Sequence, residues 1–270
     1  ALVEVLPSRM NSVFLVSGGS EAVETAIKIA RQYHVLTGSA RKSKFISYHN
    51  SYHGMTLGGM ALSGNPALEG VFDPVMPSWP KMLQYSDYDR PEGVSREDWG
   101  VQCAMRLEAI IYQQNPETVA AFIATPIGAG ADYGVVPPAS YWKTIREICD
   151  ANNVLLIADE VITGFGRTGK MFAMEHFGVE PDLITLAKGV SSCAAPFGAV
   201  GISGRVADAF KGTAFLHGFT YQGHPLGCAA GLAVLKVLKD ERLVQRAAEL
   251  SPQLFGYSDR LLAHPTVRDV

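Results

Sequence analysis

The sequence predicts an α/β fold with a mostly parallel central sheet flanked by helices, and three observations predict it. Short apolar runs rich in β-branched residues alternate with longer segments of helical spacing, the pattern of a sheet covered by helices. Two successive helix-then-strand units, residues 141–151 with 154–158 and 171–177 with 183–187, imply crossovers that leave neighbouring strands parallel. Hydrophobic residues make up 47% and charged residues 18% of 270 residues, enough apolar material for one large domain or two smaller ones and outside the disordered range.

From the amino terminus, residues 12–16 read as a short strand. It runs into Ser17-Gly18-Gly19-Ser20 and then a helix over residues 21–34, whose apolar face includes Val23, Ile27, Ala30 and His34. Residues 44–48 and 119–124 are further strands, and the Pro-, Asp- and Gly-rich stretch 64–99 is expected to be loop. Residues 141–151 place Trp142, Ile145, Ile148 and Cys149 on one helical face, and Asn152-Asn153 turns the chain into the buried strand 154–158. Residues 171–177 are predicted to be helical, ended by Gly178 and blocked by Pro181 ahead of strand 183–187. One long helical stretch is expected from 225 to 248, where Gly227, Ala230 and Gly231 permit close approach of a neighbour.

Charge and cysteine usage narrow the function classes. Lys and Arg total 23 against 26 for Asp and Glu, with no block of like charge, so nothing points to nucleic acid or to an anionic membrane, and small molecules are the expected partners. Cys103, Cys149, Cys193 and Cys228 are widely separated, without the paired spacing of metal or redox sites, which fits a reducing, cytoplasmic setting and no metal. No apolar run approaches the roughly 20 residues of a membrane helix, and no basic-then-apolar targeting stretch opens the sequence.

Two strand ends carry the chemistry. Asp159 follows an apolar strand at the carboxyl edge where open α/β sheets bind ligands, and Lys188 closes the next strand, so both side chains can reach one crevice. Taken singly, a strand-end Asp is more often a turn former or helix cap, and a Lys beside Gly189 a solvated charge. Together they supply what pyridoxal 5′-phosphate (PLP) needs: an amine for the cofactor aldehyde, and a carboxylate that keeps the pyridine nitrogen protonated so that the ring acts as an electron sink. Gly18, Gly19 and Ser20 leave backbone N–H groups open at a helix start, a ready phosphate site, although an ordinary strand-to-helix turn capped by Ser20 reads the same way. Tyr52-His53-Gly54 lies just beyond a strand, where an aromatic ring could rest on a planar cofactor or simply pack.

The longest run around Asp159, Leu156-Ile157-Ala158-Asp159-Glu160-Val161-Ile162-Thr163-Gly164-Phe165-Gly166-Arg167-Thr168-Gly169, resembles the central motif of the class III, fold type I aminotransferases. Pro181-Asp182 and Ala187-Lys188-Gly189 follow in that family's order, as do Ser17 to Glu24, Ser51 to Gly54 and Thr220-Tyr221-Gln222-Gly223-His224-Pro225. The resemblance spans essentially the whole chain and implies the PLP-binding large domain of that fold. It implies that Lys188 forms a Schiff base with PLP and then carries the proton between substrate and cofactor, while Asp159 pairs with the pyridinium nitrogen. Val161 and Tyr52 would cover the two ring faces with His53 nearby, and Gly19 and Ser20 would hold the phosphate. Thr220 would reach the phosphate of a neighbouring subunit, which implies a homodimer or a dimer of dimers. The implied reaction is transfer of an amino group from a primary amine or ω-amino acid to an oxo acid such as pyruvate or 2-oxoglutarate.

Departures from the family sharpen these expectations. Members are longer, so residues 1–240 are expected to form the large domain without its preceding segment, and 241–270 the connecting helix and the start of a truncated small domain. Thr125 stands where many members have a Glu that pairs with an arginine to switch substrates, so that ion pair is not expected here. Ile162 replaces a Gln of several subfamilies and leans toward ω-amines. An aminomutase, a decarboxylating aminotransferase or a catalytically silent binding protein on the same fold are the alternatives. A nucleotide site at Gly18-Gly19 is disfavoured, because neither the dinucleotide fingerprint nor the P-loop lysine spacing is present.

Overall fold

The computed structural model describes residues 1–128 and 134–267. Among them, seven strands form one sheet: β1 Met10–Val16, β2 Lys44–Tyr48, β3 Lys81–Met82, β4 Val119–Ala124, β5 Leu155–Asp159, β6 Leu183–Leu186 and β7 Gly198–Ser203. Their order is β1-β7-β6-β5-β4-β2-β3. β2, β3, β4, β5 and β6 pair in parallel, and β7 is antiparallel to both β6 and β1. All strands but β7 therefore point their carboxyl ends to the same edge.

The helices are α1 Leu2–Val5, α2 Gly19–Leu36, α3 Leu57–Leu62, α4 Pro66–Phe72, α5 Arg96–Gln113, α6 Ala139–Ala151, α7 Gly204–Asp208, α8 Pro225–Asp240 and α9 Leu243–Leu262. Every residue of β4, β5 and β6 is buried, because helices cover the sheet on both faces. Alternation along the strands splits the core into two layers. Phe122, Ala124, Leu156 and Ala158 pack with Leu107, Trp142 and Ile145 of α5 and α6, whereas Ala121, Ile123, Leu155 and Ile157 pack with Val23, Ala26 and Ala30 of α2. Fully burying a side chain such as Phe122 stabilises the fold by about 1.5–3 kcal/mol relative to exposure.

The expected elements form within a residue or two of their ends, with four differences. The segment expected to be helical at 171–177 is a single 3₁₀ turn, Ala173–His176. Its leading N–H groups, from Ala173 and Met174, are held by the buried carboxylate of Glu160 rather than continuing a helix. The helix expected to run from 225 to 248 breaks at Arg242, which adopts the left-handed conformation (φ 51°) and divides α8 from α9. The 64–99 stretch is irregular in the main but contains α4, the short strand β3 and the first turn of α5, started by Ser95, whose hydroxyl caps Asp98 N. Strand β7 carries no strand signature because two of its positions are glycine. Those glycines are required by proximity: a Cβ on Gly201 would meet Ile184 Cγ2 at 2.5 Å, and one on Gly198 would meet Leu186 O at 2.9 Å.

Candidate active site

Because β1, β2, β4, β5 and β6 share a direction, the loops at their carboxyl ends converge on one sheet edge. A cavity of about 160 Å³ opens there. Asp159 and Val161 enter it from the end of β5, Lys188 from the end of β6, Gly19 and Ser20 from the start of α2, and Tyr52 and His53 from the loop after β2. Seven of the eight residues singled out from the sequence are thus brought together. Thr220 is not among them: it is exposed, in the segment between α7 and α8, and does not line this cavity. Two roomier clefts of about 690 and 730 Å³ lie against α1 and contain none of these groups, so volume alone does not mark the site.

Asp159 is held from three sides. Its Oδ2 accepts a hydrogen bond from His53 Nδ1 at 2.7 Å, and its Oδ1 accepts from Thr185 Oγ1 at 2.9 Å and from Val161 N at 3.1 Å. Because an ionised carboxylate only accepts, the bonded His53 nitrogen carries the proton. His53 is buried, and its Nε2 has no hydrogen-bond partner among the described residues. Thr185 escaped sequence reading, although a signal exists: it is the one hydroxyl in the buried strand Leu183–Leu186, and register places it opposite Asp159.

The turn that follows β1 opens toward the cavity for want of a cap. Gly18 at the helix N-cap has no side chain to satisfy the first turn of α2, whose leading N–H groups are left without helical acceptors. The alternative reading of Ser20 as a helix cap does not arise, because Gly18 is the N-cap and the Ser20 Oγ accepts instead from Met55 N at 3.1 Å. Gly54 makes that approach feasible: it sits at φ +113°, and a Cβ there would fall 2.6 Å from Ser20 Oγ. Gly19 is equally confined, since a Cβ would meet Val161 Cγ1 at 3.0 Å.

Lys188 is exposed and adopts φ +43°, an uncommon conformation for a residue with a side chain and one that costs energy. Its backbone carbonyl accepts from Ser191 N and Cys193 N, which secures the turn. Glu160, between Asp159 and Val161, is fully buried, and burial pushes its carboxyl up to about 7 against the pull of Thr163 Oγ1, Ala173 N and Met174 N. That carboxylate ties the end of β5 to the turns that follow, a role unmarked in the sequence pattern. Ile162 and Thr125 also line the cavity. A lysine, a fixed carboxylate, an open helix start and an aromatic ring on one edge form a constellation suited to a phosphorylated, carbonyl-bearing ring.

Comparison with known proteins gives these residues a family. The aminotransferase class-III model matches residues 1–270. The chain is 39% identical over 269 residues to the putrescine–pyruvate aminotransferase of Pseudomonas aeruginosa, covering 99% of this chain and 59% of that protein. It is 38% identical to the omega-aminotransferase of Caulobacter vibrioides, covering 92% of this chain and 58% of that one. Among solved structures, an (S)-enantioselective omega-transaminase from Thermomicrobium roseum superposes with a TM-score of 0.94 at 40% identity, over 100% of this chain and 60% of that one. The omega transaminase of Pseudomonas jessenii in complex with PMP superposes with a TM-score of 0.91 at 38% identity, over 98% and 59%. The chain spans a little under three fifths of the length of the curated relatives named. With a family match over every residue and 38–40% identity to these relatives across most of its length, the chain belongs to the class-III aminotransferase family.

Proposed function

We propose that this chain forms the cofactor-binding part of a transaminase that moves an amino group from a primary amine or an ω-amino acid to an oxo acid such as pyruvate or 2-oxoglutarate. The observation that carries the reading is the convergence of Lys188 and Asp159, from neighbouring parallel strands, on one cavity that also holds the uncapped start of α2. Class-III aminotransferases depend on PLP, and the donor set present fits that cofactor. An amine, a carboxylate with three donors of its own, an open helix start and a half-exposed Tyr52 match an aldehyde, a ring nitrogen, a phosphate and a ring face.

Bound there, PLP supplies a reactive aldehyde and a conjugated ring that takes up electrons. Lys188 Nζ would hold the cofactor aldehyde, and the same amine is the group that would move a proton at the substrate carbon as general base and then acid. Asp159, its orientation fixed by His53 and Thr185, would meet the ring nitrogen with its negative charge. Gly19 and Ser20 offer backbone N–H groups and the positive end of α2 to the phosphate. Val161 and Tyr52 present apolar surface for the two ring faces.

The substrate class rests on Ile162 and Thr125 at the cavity wall and on relatives named for putrescine and for ω-amines. Thr125 offers no carboxylate for an arginine, so an acidic substrate group is recognised in another way. A homodimer is supported by the exposure of Thr220 outside its own cavity and of Leu216, Tyr221 and Leu226 near it. Residues 1–240 read as the large domain and those from 241 as the connection to a second unit, a division supported by the break at Arg242 and by the exposed Leu254, Phe255 and Leu261 of α9; 268–270 lie outside the described residues. No described helix is long and apolar enough to cross a membrane, and free cysteines suit a cytoplasmic setting.

The test uses the protein at its natural full length. Incubation with PLP followed by borohydride should fix the cofactor on the peptide that contains Lys188, and a panel of diamines and ω-amino acids should be turned over with pyruvate or 2-oxoglutarate. Lys188→Ala should abolish both. No label on wild-type protein overturns the cofactor site, and label without amino transfer overturns the reaction.

A further inference from the structure

The segment from Lys211 to Thr220 has no helix or ladder beyond α7, yet its burial alternates strictly near its end. Phe215, His217 and Phe219 face the protein while Leu216, Gly218 and Thr220 face outward, the period-two pattern of an extended chain. The two phenylalanines make contacts without direction: Phe215 packs edge-on against Phe14 of β1 at 5.2 Å and Phe219 against the His217 ring at 4.6 Å. His217 differs. Its ring stacks on Phe14 at 5.6 Å, and both nitrogens meet α2, Nε2 at 2.9 Å from the buried Thr25 Oγ1 and Nδ1 at 3.2 Å from the exposed Lys28 Nζ.

The proton positions follow from the partners. Thr25 Oγ1 donates its hydrogen to Glu21 O at 2.7 Å, so it can only accept from His217, and Nε2 carries the proton. Nδ1 then presents its lone pair to the Lys28 ammonium. One more turn along α2, Gln32 clamps the same segment by its backbone, donating to Ala214 O at 2.7 Å and accepting from Leu216 N at 3.0 Å. Burial, reinforced by Lys28, holds the imidazole below its usual range and in this neutral form.

We propose that His217 is a positioning residue that sets the register of residues 214–220, so that Thr220 points away from its own cavity and into that of a second copy of the chain. The inference rests on the shared-site reading of Thr220. A slip of one residue would exchange the inward and outward sets and turn Thr220 toward its own subunit. Such a slip would also expose both phenylalanines, but ring packing leaves their exact placement loose, whereas the two directional bonds from one ring to Thr25 and Lys28 fix it. Ser17 Oγ, which donates to Tyr221 O at 3.4 Å, lies beside this subunit's own glycine turn. An effect within the same subunit is therefore the specific rival.

Subunit complementation separates the two. Heterodimers of full-length protein, purified through two different tags, carry Lys188→Ala in one chain and His217→Phe in the other; phenylalanine keeps the ring packing and removes both directional bonds. If His217 acts across the interface, the site with an intact Lys188 sees an intact segment from its partner. PLP retained after dialysis should then be about one per dimer, with about half of wild-type activity. The His217→Phe homodimer should bind PLP at least about tenfold more weakly, the effect of about 1.4 kcal/mol of lost positioning. A heterodimer that retains no PLP overturns the inference in favour of action within one subunit. Lys188→Ala paired with Thr220→Ala is the control: if that pair also fails, the shared site itself is wrong. Should His217→Phe not fold, Gln32→Leu removes the backbone clamp from the surface of α2 and must complement in the same way, or the inference fails.

Discussion

Replacing Thr185 with valine removes one hydrogen bond to Asp159 and little else. Both side chains are β-branched, both suit a buried strand, and the position is fully enclosed. The lost bond, Oγ1 to Asp159 Oδ1 at 2.9 Å, is buried and made to a charged group, a class in which one bond contributes about 1.5–3 kcal/mol. Oδ1 keeps the Val161 N–H at 3.1 Å, so it is not orphaned and the effect lies at the low end. About 1.5–2 kcal/mol of lost orientation corresponds to PLP binding weakened about 10- to 30-fold. Cofactor affinity of the full-length protein is read by fluorescence titration, with Thr185→Ser as the control that restores the hydroxyl. Thr185→Val with unchanged affinity, or Thr185→Ser as weak as Thr185→Val, would refute the claim that Thr185 acts by holding Asp159.

Gly54→Ala forces a Cβ into a left-handed position within 2.6 Å of Ser20 Oγ; it should lower stability by about 1–3 kcal/mol and release the Ser20–Met55 contact, which thermal unfolding and PLP titration measure together. Asp182→Asn strips the charge that meets Arg146 at 2.9 Å and Arg205 at 2.6 Å and also accepts from Leu156 N. Arg146 is largely enclosed but keeps Asp150 at 2.7 Å, so urea unfolding should show a loss of about 1.5–3 kcal/mol, the scale of a hydrogen bond to a charged group, and an unchanged midpoint would rule out a structural role for this cluster. Burial pulls His34 down to about 4, only partly offset by its bond to Ala120 O. The unfolded chain takes up this proton first, so the contribution is complete above about pH 6.5 and is lost as pH falls toward 4, by about 2 kcal/mol after allowing for partial solvent screening. The pH dependence of urea midpoints between those limits should flatten in His34→Gln.

Local patterns exposed the parts of this protein that depend on neighbours in sequence. The strands at 44–48 and 119–124 carry their own apolar signature, and the run through Asp159 to Gly169 carries the family. Segments whose conformation depends on a distant partner were hidden. β7 reads as loop because Gly198 and Gly201 answer to Leu186 and Ile184 across the sheet, and the 3₁₀ turn at Ala173–His176 is set by a carboxylate thirteen residues earlier. The break at Arg242 lacks the glycine that would have announced it.

The candidate site divides along the same line. Lys188, Asp159 and the Gly18-Gly19 turn were legible as residue types at strand ends, since the chemistry requires those groups and parallel strands deliver them to one edge. What holds Asp159 was not, because Thr185 and His53 reach it only through strand register and a loop fold. By itself the sequence determined the family, the strand-and-helix alternation and the reactive groups, all encoded locally. Only the tertiary structure decided the reversed strand, the triple hold on Asp159 and the outward parity of Thr220, because each arises between segments far apart along the chain.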